Sequence, residues 1–467
     1  MAIKVGKSAL AAALAVSHSG ALAGSDASYQ AVFERYGVQR VDDMAQLAAA
    51  LMLFAQPHPI AAGGLVTLHD SGGERQLAID LAEQLQVPWA ELAPGTVARL
   101  RPSLDPELPA VNPLDAWGSG GADAPEVMAA CFSALLADPG AALGAVVHDR
   151  APGGEIYPAY LDYLRAAHRA TGKPVGLVAY LQGSGGDHRV LAAVAEGMPV
   201  LDGMREFLVG VRCLLAYRDF LSQDPVADLS AVDPGELNRW RDRIKSSPGL
   251  GELEAGRMLS AFGIPVAAGW AIDSSAGLDA LAGQLSFPLA LKTAEPGIAH
   301  KSDVGGVVLN VAAMDELLEA YRAMAASLGP RAIAVPMITA PGVEMILGVA
   351  RDEQFGPIVV LGLGGIQAEA LQDVAVLLPP FTPARARSAL DGLQMRALLD
   401  EFRGRPALDI ARFCAMASRL SVLAVALSDC VAEIDINPVR LMVDVCIGLD
   451  ALFVPMTTAA EPKPVEV

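Results

Sequence analysis

The first candidate for chemistry is a single histidine surrounded by small residues near the start of the chain. His18 lies in residues 17–26, which read SHSGALAGSD. Small neighbours allow a loop to move and allow a bulky charged group to approach the imidazole closely. A neutral imidazole nitrogen is a good nucleophile near pH 7, so it can accept a phosphoryl group without a strong base. The pattern therefore indicates His18 as a candidate nucleophile, although a loop histidine taken alone is more often simply solvated.

A second candidate is an anion site at the start of a predicted helix. Residues 65–69 form an apolar strand, and Asp70-Ser71-Gly72-Gly73 form a turn before the helical pattern of residues 74–85. The free backbone N–H groups and the positive dipole end of such a helix suit a phosphate or a carboxylate. We assign this role to Ser71, Gly72 and Gly73, with an ordinary strand–helix turn as the alternative.

A third candidate is the segment 287–306, which reads FPLALKTAEPGIAHKSDVGG. Lys292 stands at the end of an apolar strand, where its amine could meet a nucleotide phosphate as a point charge. His300 follows in a polar loop that leads into Gly305 and Gly306. The alternative is a solvated hairpin loop, which explains the concentration of charged residues and glycines less well.

Two further strands carry polar residues or glycines. Residues 342–365 contain Glu344 and end in Gly364 and Gly365, and a strand ending in glycines brings bare backbone near a ligand.

Residues 433–438 read EIDINP, so that strand alternation places Glu433, Asp435 and Asn437 on one face. Together with Asp450, which follows another apolar strand, these oxygens could hold Mg²⁺ beside phosphate oxygens. An exposed strand edge with alternating polar residues is the alternative.

The elements that must position these residues are predicted to alternate between strands and helices. Apolar strands at 63–69, 143–147 and 175–180 each have a helix nearby, which predicts a doubly wound parallel sheet. Continuous apolar strands fit that arrangement because both faces of the sheet are covered. Residues 221–234 have the composition of a linker, after which strand and helix signals resume to about residue 454.

Composition limits the classes of function. The chain has 467 residues, 53% of them hydrophobic, with 53 acidic residues against 34 basic ones and a net charge of −19. This acidic balance disfavours binding to nucleic acid or to an anionic membrane, because both require a basic surface. No stretch is long and apolar enough for a membrane helix.

Cysteine usage and the first residues bear on the compartment. The five cysteines are scattered and form no CxxC pair, which favours a reducing cytoplasm. Residues 1–24 imitate a secretory signal, but their apolar stretch is short and rich in alanine. We therefore expect a cytoplasmic location.

Taken together, the segments resemble the NDP-forming (ADP-forming) acyl-CoA synthetases, the group that contains the acetate–CoA ligases and is related to succinyl-CoA synthetase. The resemblance runs from residue 3 to about residue 454. It rests on SHSGALAGSD, LKTAEPGIAHKSDVGGV, GVEMILGVARDEQFGPIVVLGLGGI and EIDINPV, which occur in this order. Five matches in order along one chain, the turn at residues 70–73 included, are far more specific than any one of them.

The resemblance implies a fold and a division into domains. It implies an α/β chain in which flavodoxin-like doubly wound parallel-sheet domains are followed by an ATP-grasp domain. The expected domains are residues 1–56, the C-terminal part of a succinyl-CoA-ligase-like domain with the histidine loop; residues 57–225, a flavodoxin-like ligase domain; and residues 226–467, the nucleotide-binding ATP-grasp domain.

The resemblance also implies an activity and roles for single residues. Such enzymes interconvert ATP, a carboxylic acid and CoA with ADP, phosphate and acyl-CoA, through an acyl phosphate and a phosphohistidine, with Mg²⁺. The implied roles are the phosphorylated histidine for His18, a relay for His300, and a carboxylate that steadies the histidine for Asp435; nucleotide binding for Lys292, Glu344, Gly305, Gly306, Gly364 and Gly365; phosphate binding for Ser71, Gly72 and Gly73; and Mg²⁺ binding for Asn437 and Asp450.

Some features depart from the family pattern. Relatives usually carry a Rossmann-like CoA-binding domain before the histidine loop, whereas this sequence opens at the strand just ahead of that loop. The sequence therefore predicts either that another chain supplies the CoA-binding domain or that the start is truncated. For the assembly, it predicts a homo-oligomer or a pair with a chain that carries the CoA-binding domain. Gln367 and Gln372 also stand where the family often has an apolar residue and a lysine.

Two segments bear on the acid substrate. HDSGGER, at 69–75, and NPLDAWG, at 112–118, are closer to a branch that uses hydroxycinnamates such as ferulate, with a short-chain acid as the alternative.

Two other functions compete with the ligase. The chain could be a catalytically incomplete nucleotide-binding subunit, or a regulatory fragment that needs a separate CoA-binding chain. It could also be an ATP-grasp ligase that joins an acid to an amine, but that reaction leaves the histidine loop without a purpose.

Overall fold

The computed structural model describes residues 1–8, 25–56, 60–118, 120–150, 153–182, 186–222, 227–228, 232–246, 249–298, 301–365, 373–401 and 404–456. The strands of these residues are β1 (Ala2–Ile3), β2 (Arg40–Val41), β3 (Gly64–His69), β4 (Leu114–Asp115), β5 (Ala141–Val147), β6 (Val175–Ala179), β7 (Val200–Asp202), β8 (Trp270–Ile272), β9 (Leu289–Thr293), β10 (Val307–Val311), β11 (Ala332–Pro336), β12 (Val343–Asp352), β13 (Gly356–Leu363), β14 (Val374–Leu377), β15 (Val431–Leu441), β16 (Cys446–Gly448) and β17 (Leu452–Pro455).

The α-helices of the same residues are α1 (Asp26–Arg35), α2 (Met44–Phe54), α3 (Gly72–Gln84), α4 (Pro94–Leu100), α5 (Ala124–Leu136), α6 (Pro158–Thr171), α7 (Arg189–Ala195), α8 (Met204–Leu221), α9 (Pro234–Ser246), α10 (Glu252–Ala261), α11 (Ser275–Leu281), α12 (Met314–Leu328), α13 (Pro383–Asp391) and α14 (Ile410–Ala426). Short 3₁₀ turns cover Arg101–Ser103, Ser302–Val304 and Gln394–Leu398. None of the helices described combines the length and the apolar content that crossing a bilayer requires.

The chain divides into two compact units. The first holds the described residues of Met1–Ser19 and Tyr36–Gln223, and the second holds those of Gly20–Arg35 and Asp224–Val467. Helix α1 thus belongs to the second unit, whereas the sequence analysis groups it with residues 1–56. The predicted domain boundaries after residues 56 and 225 stay predictions.

The first unit contains a five-stranded sheet that is parallel throughout. Its strand order is β4-β3-β5-β6-β7. Every residue of β3, β5 and β6 is buried, as expected for strands covered on both faces. The order reverses between β3 and β5, which is the arrangement of flavodoxin-like folds, whose ligands bind outside the carboxyl ends of the strands at this point. The predicted doubly wound parallel sheet is confirmed.

Helices cover both faces of this sheet because neighbouring strand residues point in opposite directions. Leu65 and Val147 pack with residues of α2, α3 and α8 on one face. Val66 and Val146 pack with residues of α5 and α6 on the other. Each large apolar side chain buried in this way stabilises the fold by about 1.5–3 kcal/mol. The two cores hold the carboxyl ends of the strands, and the turns that follow them, in place.

The second unit is built on two antiparallel sheets. The smaller has the order β10-β9-β11-β8 and packs against α11 and α12. The larger has the order β14-β13-β12-β15-β16, with β17 pairing to β15 as well. Helices α10, α13 and α14 pack on this larger sheet. The unit therefore contains two separate cores, and elements from both contribute to the cluster of charges described below.

Polar side chains define several helix starts in both units. The side chains of Asp43, Ser71, Ser274, Thr382 and Asp409 each accept a hydrogen bond from the backbone N–H three residues later. Such a cap satisfies a donor that the helix leaves unpaired and stabilises it by about 1 kcal/mol. Local sequence therefore determines where these helices begin.

All five cysteines lie in the described residues, and none forms a disulfide. Cys131, Cys213, Cys414, Cys430 and Cys446 are buried. Burial raises the pKa of every one of these thiols, to about 11 for Cys131, Cys414 and Cys430 and to about 12 for Cys446. Because the thiolate is the reactive form, these side chains behave near pH 7 as small apolar groups.

Candidate functional site

The predicted anion site lies where the strand order of the parallel sheet reverses. Strand β3 ends at His69, and Ser71 caps α3 in an extended conformation with its hydroxyl 3.5 Å from the Glu74 backbone nitrogen. A side chain added at Gly73 would meet nothing closer than 3.9 Å, so the first turn of α3 is open to an approaching group. Gly72 is closer to its surroundings, since an added Cβ would lie 3.2 Å from Asp115 Oδ2. Ser71, Gly72 and Gly73 thus stand at a helix start that is open at Gly73, and their role in binding an anion stays a prediction.

The surroundings of this turn include acidic groups that the sequence analysis did not assign. The Tyr160 hydroxyl donates to Asp70 Oδ2 at 2.7 Å, and the His148 ring stacks on Tyr160 with ring centroids 4.0 Å apart. Burial, together with the carboxylates of Asp149 and Asp70, raises the pKa of Glu74 to about 7. An anion at the helix start therefore meets a carboxyl that is half protonated near neutral pH. Asp70, His148 and Asp149 directly follow strand ends, which was their signal in the sequence, whereas Tyr160 lies within α6.

Glu74 provides a test of this electrostatic environment. Because the pKa of Glu74 rises from 4.5 to about 7 on folding, its contribution to stability is complete below pH 4.5 and is lost as the pH rises through 7. Glu74→Gln is expected to raise stability by about 1 kcal/mol at pH 8, allowing for solvent screening, and to change little at pH 5. Thermal unfolding from pH 5 to 8.5 measures this. Glu83→Gln, at an exposed position of the same helix, is the control, and an equal shift in both variants would contradict the assignment.

Lys292 is the centre of the second candidate site. It lies near the end of β9 and is buried. Its ammonium nitrogen is 2.8 Å from Glu252 Oε1, 3.0 Å from Asp450 Oδ2 and 3.0 Å from the carbonyl oxygen of Leu449. The predicted nucleotide-binding lysine and one of the predicted metal ligands are therefore in direct contact.

Lys301 completes a cluster of four charges. It donates to the second oxygen of Glu252, and its nitrogen is 3.4 Å from each carboxylate oxygen of Asp450. We call Glu252, Lys292, Lys301 and Asp450 the charge cluster. Its formal charges sum to zero, which is the condition under which buried ions are tolerated.

The protonation behaviour of the charge cluster follows from burial and from its own members. Burial alone would raise the pKa of Asp450, but Lys292 and Lys301 hold that pKa below its ordinary value. Burial and the Asp450 carboxylate raise the pKa of Glu252, and the two lysines oppose this. Burial would lower the pKa of Lys301, but Asp450 and Glu252 keep it above its ordinary value. Lys301 thus remains a cation suited to phosphate oxygens.

Gly305 and Gly306 lie in the predicted nucleotide loop that follows β9, and Gly306 lies close to β9. Gly306 accepts a hydrogen bond from the Thr293 backbone nitrogen at 2.7 Å, and an added Cβ would lie 2.6 Å from the Thr293 side chain. Gly305 has a φ of +69°, in the left-handed region that favours glycine. A side chain at Gly306 would displace the loop that carries Lys301 from β9, whereas a side chain at Gly305 would meet nothing within 4 Å and would only strain the backbone.

Glu344 and the glycines after β13 are also in contact. The Gly364 backbone nitrogen donates to the Glu344 carbonyl at 2.8 Å. Gly365 has a φ of +69°, and an added Cβ would lie 2.5 Å from Glu344 Oε2. The Glu344 carboxylate also pairs with Arg440 at 3.2 Å. The predicted nucleotide residues of this segment therefore form one local arrangement.

Strand β15 carries the remaining predicted oxygens. Glu433 and Asn437 are exposed and Asp435 is half-buried, so the three share one face as the alternation predicted. Burial, then the neighbouring carboxylates of Glu433 and Asp450, raises the pKa of Asp435 to about 6. Glu433 and Asp450 thus disfavour the ionisation of Asp435, because a like charge nearby opposes the charged form of a carboxyl group.

The donor set is compatible with Mg²⁺ only together with other oxygens. The described residues contain no group of three or more His, Cys, Asp and Glu side chains arranged to hold a metal ion. Asn437 and Asp450 supply one amide oxygen and one carboxylate, which are hard oxygen donors of the kind Mg²⁺ prefers beside phosphate oxygens and water. These residues therefore fit a metal that arrives with a phosphorylated ligand.

Two predicted catalytic residues, His18 and His300, lie outside the described residues, as do Gln367 and Gln372. The helix that follows the histidine segment is described. In the second unit, Tyr29 of α1 packs edge-on against Phe355 with ring centroids 4.9 Å apart, and Glu34 pairs with Arg385.

Glu252 was not among the residues predicted from the sequence, and Lys301 had no predicted role. Glu252 stands at the first position of α10, forty residues before Lys292, and nothing local distinguishes it from other acidic residues at helix starts. Lys301 did carry a signal, because it lies inside the HKSD segment that marked the loop.

Family models match both ends of the chain. Residues 245–454 match an ATP-grasp domain, and residues 1–54 match the flavodoxin domain of a succinyl-CoA ligase-like protein. The predicted fold class, flavodoxin-like parallel sheet with an ATP-grasp domain, is thereby confirmed.

Curated relatives agree with these matches. The chain is 28% identical over 458 residues to acetate–CoA ligase [ADP-forming] I of Archaeoglobus fulgidus, covering 94% of this chain and 63% of that protein. It is 29% identical over 456 residues to a trans-feruloyl-CoA synthase of an unknown prokaryotic organism, covering 93% of this chain and 61% of that protein. The chain thus spans just over six tenths of the length of these two relatives.

A third relative is covered almost completely. Over 209 residues, the chain is 33% identical to the beta subunit of acetate–CoA ligase [ADP-forming] I of Pyrococcus furiosus, covering 43% of this chain and 90% of that subunit. In that organism, therefore, a relative occurs as one subunit of a ligase. The predicted resemblance is confirmed, and the chain belongs to the family of ADP-forming acetate–CoA and acyl-CoA ligases.

Proposed function

We propose that the protein acts in an ADP-forming acid–CoA ligase, in which ATP drives thioester formation through a phosphohistidine and an acyl phosphate. The observation that carries this proposal is the direct contact between Lys292 and Asp450 in an ATP-grasp domain, because these are the proposed phosphate-binding cation and the proposed metal-binding carboxylate. The names of the relatives, which pair ADP formation with CoA ligation, support the same reaction.

The first step would be phosphoryl transfer from ATP to His18. The imidazole nitrogen attacks the γ-phosphorus, the bond from that phosphorus to the β-phosphate oxygen breaks, and ADP leaves. Lys292 binds the phosphates as a point charge, while Glu344 and the backbone at Gly305, Gly306, Gly364 and Gly365 surround the nucleotide; the lysine contacts and local glycine geometry support this.

Metal binding belongs to the same step. Mg²⁺, held by Asn437 and Asp450, would neutralise charge between the phosphates. Asp435, ionised above a pKa of about 6, would accept a hydrogen bond from the imidazole N–H of His18 and hold the ring in the reactive tautomer. In the alternative route through His300, the His300 ring nitrogen would bond to the γ-phosphorus as ADP leaves, and its N–P bond would then break as the His18 nitrogen bonds to the same phosphorus.

The second step would transfer the phosphoryl group from His18 to the carboxylate of the acid. The N–P bond breaks as a carboxylate oxygen bonds to phosphorus, and the CoA thiolate then attacks the acyl carbon and releases phosphate. Ser71, Gly72 and Gly73 would hold the phosphate through free backbone N–H groups at the start of α3. The open first turn of that helix supports this assignment.

The acid is proposed to be a hydroxycinnamate such as ferulate, with a short-chain acid as the alternative. The HDSGGER and NPLDAWG segments and the feruloyl-CoA synthase relative support a hydroxycinnamate, and the acetate–CoA ligase relatives support a short-chain acid.

We further propose that the protein works in the cytoplasm, either as a homo-oligomer or with a CoA-binding domain on another chain. A catalytically incomplete nucleotide-binding subunit or regulatory fragment is the alternative.

The partial reaction with ATP tests this proposal. With γ-labelled ATP and Mg²⁺ alone, the protein is expected to release ADP in an amount equal to the label that it retains. Adding excess ADP should return the label to ATP, and adding acetate or ferulate with CoA identifies the acid that discharges it. Release of AMP and pyrophosphate, or label that ADP does not remove, would contradict the proposal.

A further inference from the structure

Glu252 and Lys301 are the two members of the charge cluster to which the proposed reaction gives no role, and Glu252 is the one that contacts both lysines through separate oxygens. Its two oxygens are divided between two cations, since Oε1 accepts from Lys292 at 2.8 Å and Oε2 accepts from Lys301. Its side chain is 11% exposed, so water screens these contacts weakly. The carboxylate is therefore a fixed bridge between the two lysines.

The position of Glu252 in the fold makes it independent of the elements that carry its partners. Glu252 opens α10, whose apolar residues pack in the core of the larger sheet. Lys292 belongs to β9 of the smaller sheet, and Lys301 to the loop that follows it. Asp450 lies two residues before β17, which pairs with β15. The bridge is thus anchored on a helix and does not have to move when the loop or the strand end does.

The carboxylates of Glu252 and Asp450 contact the same two lysines, but only Asp450 is a proposed metal ligand. Asp450 is 3.0 Å from the Lys292 nitrogen and 3.4 Å from the Lys301 nitrogen. A divalent cation bound at Asp450 would stand beside two ammonium groups, and like charges at such distances repel strongly in a poorly hydrated site. The lysines must therefore leave Asp450 when a cation arrives, and they need another acceptor.

We propose that Glu252 is a positioning residue that retains Lys292 and Lys301 when Asp450 is released to the cation of the bound nucleotide. This inference rests on the proposed function, because it requires a nucleotide that arrives with Mg²⁺. In the ligand-free protein the lysines occupy both carboxylates. With the nucleotide bound they keep Glu252 and turn their remaining N–H groups to phosphate oxygens.

The proposed role of Glu252 predicts a different effect on ADP affinity with Mg²⁺ than without it. Glu252→Gln changes the formal charge of the cluster from zero to +1 and leaves Asp450 as its only carboxylate. Metal-free ADP, an anion, is then expected to bind about equally or up to about threefold more tightly. Asp450 becomes harder to release, so the factor by which Mg²⁺ increases ADP affinity should fall about tenfold. A purely structural role for Glu252 would weaken both kinds of binding together.

The experiment is titration calorimetry of the full chain with ADP, with and without Mg²⁺, on the wild type and Glu252→Gln. The control is Glu254→Gln, which removes another ion-paired carboxylate two residues along the same helix, where Glu254 pairs with Arg243. The control should keep the wild-type ratio of the two affinities. Glu252→Asp retains the charge and should give an intermediate ratio, and it replaces Glu252→Gln if that variant does not fold.

The outcomes separate this inference from the proposed function. A wild-type protein that binds no ADP in the presence of Mg²⁺ contradicts both the proposed function and the inference. A wild type that binds ADP normally, with an unchanged ratio in Glu252→Gln, contradicts the inference alone. Parallel weakening of both affinities in Glu252→Gln also overturns it, because that result assigns Glu252 to the structure of the site.

Discussion

Replacing His18 with alanine is expected to abolish the covalent label that the protein acquires from γ-labelled ATP. An alanine has no nitrogen to bond to phosphorus, and the other groups in residues 17–26 that could accept the phosphoryl group are the serine hydroxyls and the Asp26 carboxylate, whose acyl phosphate would be lost in base. A phosphoramidate is labile in acid and stable in base, whereas a phosphoserine behaves in the opposite way. The measurement is retained label after acid or alkaline treatment of the denatured protein.

Two other histidines serve as comparisons for His18. His188 is 86% exposed in the first unit and has no assigned role, so His188→Ala should be labelled as the wild type is. His300→Ala should slow labelling if His300 relays the phosphoryl group, without changing the final amount. Full labelling of His18→Ala would overturn the assignment of His18 as the nucleophile.

Replacing either proposed metal ligand is expected to reduce phosphoryl transfer by two to three orders of magnitude, which corresponds to about 3–4 kcal/mol of barrier. The loss follows because charge between the phosphates is no longer neutralised. Single-turnover release of ADP at saturating Mg²⁺ measures it for Asn437→Ala and Asp450→Ala. Rates equal to the wild type in both variants would contradict the proposed pair of ligands.

The same two variants should differ in stability. Asn437 is exposed, so its loss should leave the unfolding temperature nearly unchanged. Asp450 is paired with Lys292 and Lys301, and its removal leaves excess positive charge in the charge cluster. Asp450→Ala is expected to lower the free energy of unfolding by about 2–4 kcal/mol. Thermal unfolding without ligand measures the difference, and equal stability of the two variants would contradict the observed ion pairs.

The parallel sheet of the first unit could be predicted because its signals are local. Strands β5 and β6 are continuous apolar runs, β3 is apolar except for Thr67 and His69, and all residues of the three strands are buried. Strand β4 has only two residues, so it carries no periodicity, and its place beside β3 depends on long-range pairing. Local patterns identify elements, but they do not determine which elements pair.

The second unit shows the same limit more clearly. Strand β12 pairs with β15 across nearly a hundred residues, with Val343 opposite Leu441. The position of Lys292 at the end of an apolar strand was visible in the sequence, and so was the polar face of β15. The contact of Lys292 with Glu252 and Asp450 was not, because three separate elements supply those side chains. Charged clusters of this kind arise from tertiary packing and leave no spacing in the sequence.

The burial of all five cysteines gives the protein a set of internal reporters. Cys131 and Cys213 lie in the first unit, and Cys414, Cys430 and Cys446 lie in the second. Since an alkylating reagent attacks the thiolate, and burial raises the pKa of these thiols, native protein resists modification. Each thiol becomes reactive when its surroundings open. Pulse alkylation followed by peptide mapping therefore distinguishes the opening of one unit from that of the other, without any introduced probe.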